Sequence, residues 1–215
     1  PDLRRSTFVH PWDFVDRDAH PNDRYGHGTH VAGTIAQATN NAFGVAGVAY
    51  EAKIMPLKVL DDFGEGDSLK IAKAIRFAAR HGADVINLSL EFDHRVVASE
   101  IPEIISAIRY AHGRGAVIVA AAGNYKRPFL RRVAYPARAG DVIAVGATTK
   151  HGCRAQQPRG FQHVLRLRTR SVARLLRRRR NRRSHGLQVA RQPQLAIGNH
   201  RLARREAVFD DALRA

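Results

Sequence analysis

A single cysteine, Cys153, is all that this 215-residue chain contains. That excludes an internal disulfide framework and leaves the redox compartment open. No stretch approaches the roughly eighteen consecutive apolar residues that a membrane-spanning helix requires, so no membrane partner is expected. Lysine is missing after Lys150, where every basic side chain apart from histidine is arginine. Beyond that point phenylalanine, tyrosine and tryptophan are reduced to Phe161 and Phe209. Internal repeats are lacking too. The chain opens on Pro1 in what reads as mid-loop, "PDLRRS", so the lack of a leader peptide says nothing about secretion.

The net charge of +17 is unevenly spread. Residues 151–215 hold 17 of the 36 Lys and Arg against three acids, Glu206, Asp210 and Asp211, whereas residues 1–150 hold 19 basic and 16 acidic side chains. This break divides the chain into a first domain, residues 1–155, and an Arg-rich tail, residues 156–215. The tail admits three readings. A genuine arm would bind phosphates of a nucleic acid, with affinity falling steeply as salt rises. Repelling like charges with little apolar surface to bury favour disorder. The arginine-only basicity is also what GC-rich DNA yields when read out of frame, and we favour that reading over a designed arm.

Within the first domain, short apolar runs alternate with helical periodicity. "AKIMPLKVL" (52–60), "ADVINLSL" (83–90), "AVIVAAAGN" (116–124) and "DVIAVGA" (141–147) read as buried strands. Residues 67–82 form a helical pattern with Ile71, Ala74, Ile75 and Ala78 on one face, Asp67 or Ser68 as N-cap and Gly82 as the stop. A second helical pattern runs over 101–115, with Pro102 in its first turn and Gly113 or Gly115 at its end. Strands separated by crossover helices make a parallel sheet covered by helices on both faces, an α/β fold. Such sheets place their chemistry beyond the carboxyl ends of the strands. Ser89, Leu90, Gly123 and Asn124 stand there and are expected to line one crevice.

"YGHGTHVAGTIA" (25–36) sets His27 and His30 three residues apart at the start of a helix. Zinc-binding helical pairs favour a spacing of four with an acid between them, and no third ligand is evident, so no metal ligand is assigned. His30 enters the helix beside Val31, Ala32 and Gly33 and is expected to pack in the core. His27 lies at the helix N-terminus, where the dipole disfavours added positive charge and keeps an imidazole neutral, ready to accept a proton.

"GHGTHVAGTIA" resembles the histidine motif of the subtilisin-like serine proteases, the subtilases. "NNAFGVAGVAYEAKIMPLKVLDDFGEG", "DVINLSL", "VIVAAAGN", "YPA" and "DVIAVGAT" follow in that family's order and at its usual spacing. The resemblance covers residues 1 to about 155. It implies a serine endopeptidase acting on proteins or peptides, a secreted location, and an incomplete subtilisin-like sheet. By the same resemblance His27 is the general base, and Asn124 is the oxyanion donor whose amide stabilises the tetrahedral intermediate. Ser89 and Leu90 fall where the family pairs substrate backbone as an added strand, and Ala121, Ala122 and Gly123 match one wall of the first specificity pocket.

The chain departs from the family in three places. Glu91 stands where a glycine usually follows the Ser-Leu pair, and either narrows the pocket, favours basic side chains or points outward into solvent. The family's aspartate belongs to a strand upstream of Pro1. No "GTSMAxP"-like motif presents a nucleophile, and Ser171 and Ser184 lack the glycine-tight turn that would precede one. The chain is therefore expected to be inactive as it stands. Its alternative is a non-catalytic module of the same fold that binds peptides or, through the tail, nucleic acid. Loop acids in this family bind calcium in some members, which leaves calcium open. The spacing of Asp13, Asp16, Asp18 and Asp23 is not that of an EF-hand and favours a solvated acidic turn.

Overall fold

The computed structural model describes residues 2–124 and 133–147, together with the backbone of two short later strands. The expectations for Ser171, Ser184 and nearly all of the tail fall outside these residues. In chain order the elements are β1 (Thr7–Phe8), β2 (Trp12–Asp13), α1 (His27–Ala36), β3 (Lys53–Lys58), α2 (Ser68–Arg80), β4 (Val85–Leu88), α3 (Pro102–Gly113), β5 (Val117–Ala121), β6 (Val142–Ala147), β7 (His163–Val164) and β8 (Glu206–Phe209). The strands lie in the order β1-β3-β8-β4-β5-β6-β7, with β2 also pairing β3. All pairs are parallel except β6 with β7. β8 occupies the place between β3 and β4, paired to both.

The sheet is α/β with helices on both faces, as expected, and the period-two alternation of β3 shows how it is built. Met55 and Leu57 belong to the main core with Ile71, Ile75, Ile104 and Ile108 of α2 and α3. Ile54, pointing the other way, packs with Val31 and Ala36 of α1. Further along, the two faces differ. Ile86, Leu88, Ile118 and Ala120 are buried beneath α2 and α3, whereas Val85, Val117, Val119 and Val145 are only half-buried.

The helix ends follow from their residues. Asp67 is the N-cap of α2, its carboxylate accepting from the Lys70 N–H at 2.8 Å. Gly82 follows with a left-handed φ of 75°. α3 starts at Pro102, whose missing N–H costs nothing in a first turn, and Gly115 beyond it is left-handed at φ 93°. β3 pairs with its edge in two pieces, because Pro56 interrupts it. The carbonyls of Ile54 and Lys58 accept from the N–H groups of Val9 and Phe14, both at 2.8 Å. By the same alternation Pro56 faces that edge with no N–H to give, and the pairing breaks opposite it.

Candidate active site

Two observations fix where His27 lies. At the C-terminal end of α1, the Ser6 hydroxyl donates to the Ala36 carbonyl at 2.9 Å, one residue before Thr7 pairs with Lys53 at the amino end of β3. At the N-terminal end of α1, Gly28 and Thr29 border a cavity together with Leu57 and Lys58, the last residues of β3. The helix thus runs back along the strand and delivers His27, its first residue, to the carboxyl end of the sheet. β4 and β5 point the same way, and Ser89–Glu91 and Ala122–Asn124 continue from their carboxyl ends.

His27 itself is buried. The turn before it is organised by Asp23, whose carboxylate accepts from the N–H groups of Tyr25 (3.0 Å), Gly26 (2.6 Å) and Thr29 (2.7 Å) and from the Thr29 hydroxyl (2.6 Å). Gly26 takes the left-handed conformation, φ 96°, and offers no side chain as a cap. Asp23 supplies the capping oxygen from three residues upstream. Burial pushes its carboxyl up, but the hydrogen bonds from Thr29, Gly26 and Tyr25 outweigh that and hold it below its ordinary range. Its Asp-x-x-Gly spacing is the only signal of this role in the sequence. His30 departs from expectation: it is exposed, because α1 turns Val31 and Ala32 to the core and His30 away.

The acidic loop also resolves into specific contacts. Asp13 is fully buried; it accepts from the N–H groups of Val15 (2.7 Å) and Asp16 (3.0 Å) and lies 3.7 Å from the buried Lys58 ammonium. Among the described residues no group of three or more His, Cys, Asp or Glu side chains could hold a metal ion.

Ser89 is half-buried, and its hydroxyl accepts from the Asn87 amide at 2.8 Å. Leu90 sinks into the main core, so its side chain belongs to the fold and only its backbone is available to a ligand. Ala121 closes β5, Ala122 donates its N–H to the Val145 carbonyl at 2.7 Å, and Gly123 is left-handed at φ 102°. Ala134 and Tyr135 brace the two strand ends: the Ala134 N–H donates to Ala122 (3.1 Å) and the Phe92 N–H to the Tyr135 carbonyl (2.8 Å). That brace was not anticipated from the motif "YPA".

Glu91 turns inward, not out to solvent. Its carboxylate accepts from the Asn124 backbone N–H at 2.9 Å and, more loosely, from the Asn124 side-chain amide at 3.4 Å. Burial pushes its carboxyl up, the Asn124 hydrogen bonds counteract, and the like charge of Asp93 adds to the rise. A methyl placed on Gly123 would sit 2.5 Å from Oε2, so the carboxylate lies directly over that glycine. The cavity beside α1, about 210 Å³, is a separate space: Phe8, Asp23, Thr29, Ala32 and Pro56 border it, and none of Ser89, Glu91 or Asn124 does.

The model of the subtilase family, peptidase S8, matches residues 2–199. A thermophilic serine proteinase of Bacillus sp. (strain AK1) is 45% identical over 140 residues, covering 65% of this chain and 33% of that protein. Thermitase of Thermoactinomyces vulgaris is 42% identical over 151 residues, covering 70% and 51%. Among solved structures, sphericase aligns with a TM-score of 0.62 at 34% identity, over 78% of this chain and 54% of that one. The chain thus spans about half or less of the length of these relatives.

Proposed function

The chain belongs to the subtilase family, and from that premise we propose that it is built for peptide-bond hydrolysis by a serine endopeptidase mechanism. His27 is the general base, and the Asn124 amide is the donor to the oxyanion. Ser89–Glu91 and Ala121–Gly123 form the two walls between which a peptide lies extended. Protein or peptide substrates and an extracellular setting follow from the same reading. What supports it is that the α1 N-terminus and the continuations of β4 and β5 all stand at the carboxyl end of one parallel sheet.

Chemically, a neutral imidazole at a helix N-terminus is a competent acceptor, because the dipole opposes its protonation. A carboxamide at the rim of the cleft donates without a charge of its own. The 215-residue chain, with no serine assigned as nucleophile, is proposed to bind peptides without turning them over; losses of triad members lower turnover by up to roughly 10⁶. A fluorophosphonate probe tests this directly, and no labelling is expected. Covalent labelling would identify a serine nucleophile and overturn the proposed inactivity. Hydrogen exchange in the presence of a peptide should slow at Ser89–Glu91. Unchanged exchange there at saturating peptide would overturn the cleft assignment.

A further inference from the structure

Glu91 follows β4 by three residues and reaches across to the end of β5, where both of its oxygens are used on one residue. Oε2 takes the Asn124 backbone N–H and Oε1 its side-chain amide. The carboxylate rests on the α-carbon of Gly123, within the wall that a substrate side chain would meet. We propose that Glu91 is a specificity-determining residue. Its carboxylate ties the Asn124 amides to itself, and a peptide presenting a guanidinium or ammonium side chain in this pocket takes the carboxylate over and frees them. The inference rests on the reading of this crevice as a peptide cleft and adds the substrate class.

Three physical points support it. First, the carboxylate is half-withdrawn from water and faces a like charge, Asp93. Asp93 is itself engaged by the Arg95 guanidinium at 3.0 Å. An anion in this position gains from a cation far more than a solvated one does, since the cost of desolvating it has already been met by folding. Second, neutral amide donors are the weaker competitors. Charge-assisted pairs are roughly twice as strong, and a guanidinium can engage both carboxylate oxygens at once. Third, the Asn124 side-chain NH2 that leans on Glu91 has one hydrogen left for a substrate oxygen, and its orientation is set by the carboxylate. Cation capture releases that orientation, so it and oxyanion stabilisation are coupled through one side chain, and whatever one does to the other is reciprocal. A neutral side chain of the same shape leaves Glu91 where it is and meets an Asn124 amide still oriented by the carboxylate.

The test uses the full chain and two peptides, acetyl-Ala-Ala-Ala-Arg amide and the same peptide with citrulline, the neutral isostere of arginine. Affinities are measured by calorimetry, and the Asn124 side-chain amide is followed by NMR with asparagine selectively labelled. The arginine peptide should bind about tenfold or more tightly than the citrulline peptide and should move the Asn124 side-chain resonances. Glu91→Gln should bring the two affinities together. Equal affinities in the unmodified chain, an arginine preference that survives in Glu91→Gln, or tight arginine binding with unmoved Asn124 resonances would each overturn the proposal. Failure of both peptides to bind would instead overturn the peptide-cleft reading, which separates the two. The comparison of peptides needs no variant, so it stands even if Glu91→Gln folds poorly.

Discussion

The Glu91 carboxylate and the amides of Asn124, 33 residues apart in sequence, are closed on each other by hydrogen bonds of 2.9 and 3.4 Å. The contact joins the ends of β4 and β5 and sets the pH response of that corner. The pKa of Glu91 is raised from an ordinary 4.5, first by burial. The folded state therefore holds that proton more tightly than the unfolded one. Its contribution to stability is fully present below the ordinary value and is lost as pH rises through the raised one. Urea unfolding across pH 4 to 8 should show this loss in the unmodified chain and a flatter profile in Glu91→Gln. Identical profiles would remove Glu91 as the cause.

Gly123→Ala should destabilise for two separable reasons. Its φ of 102° strains any residue with a side chain, by about 1–3 kcal/mol, and the new methyl meets the Glu91 carboxylate. Adding Glu91→Gly removes the contact and leaves the strain, so the double variant should recover only part of the loss in thermal melting. Full recovery would mean that the backbone conformation is not strained.

Asp23→Ala should loosen the start of α1 and cost about 1–2 kcal/mol, in the range of a lost N-cap. Hydrogen exchange should quicken at the Gly26 and Thr29 amides, whose acceptor is removed. Because the Asp23 carboxyl is held below its ordinary 3.8, its contribution is present above that value. It is lost as pH falls through the lowered one. A variant with unaltered exchange at both amides would refute the capping role.

Lys58 separates a buried from an exposed partner. Burial works against its charge, but hydrogen bonding to Asp62 and the nearby charges of Asp13 and Asp62 outweigh that and raise its pKa. Lys58→Met leaves Asp13 buried without its cation and should cost about 3–5 kcal/mol. Asp62→Ala, which removes the more exposed acid, should cost much less, because a solvated ion pair contributes little. Equal losses by denaturant titration would contradict this division.

The sequence made the architecture legible because hydrophobic runs and glycine stops are local signals. All four apolar runs became strands β3 to β6, and both helical patterns became α2 and α3, with Asp67 settled as the cap. The location of His27 was legible from its motif and the helix start. The inward turn of Glu91 was not, because a single acid on a strand end is compatible with either orientation until the glycine opposite it is seen. His30 was misjudged for a related reason. Its neighbours Val31 and Ala32 are buried, but the helical rotation that turns them inward carries His30 out. The two-residue strands β1 and β2 are too short to show a period at all.

Pro56 also acts as a key that fits one lock. Sliding β3 by two residues along its edge would preserve which side chains face each layer, so burial alone does not forbid it. Here that shift would bring a ring with no N–H to a position where the neighbouring strand needs a donor. Pro56 thus opposes that shift, and it does so two residues before the Lys58 ammonium that lies beside Asp13 in the observed register.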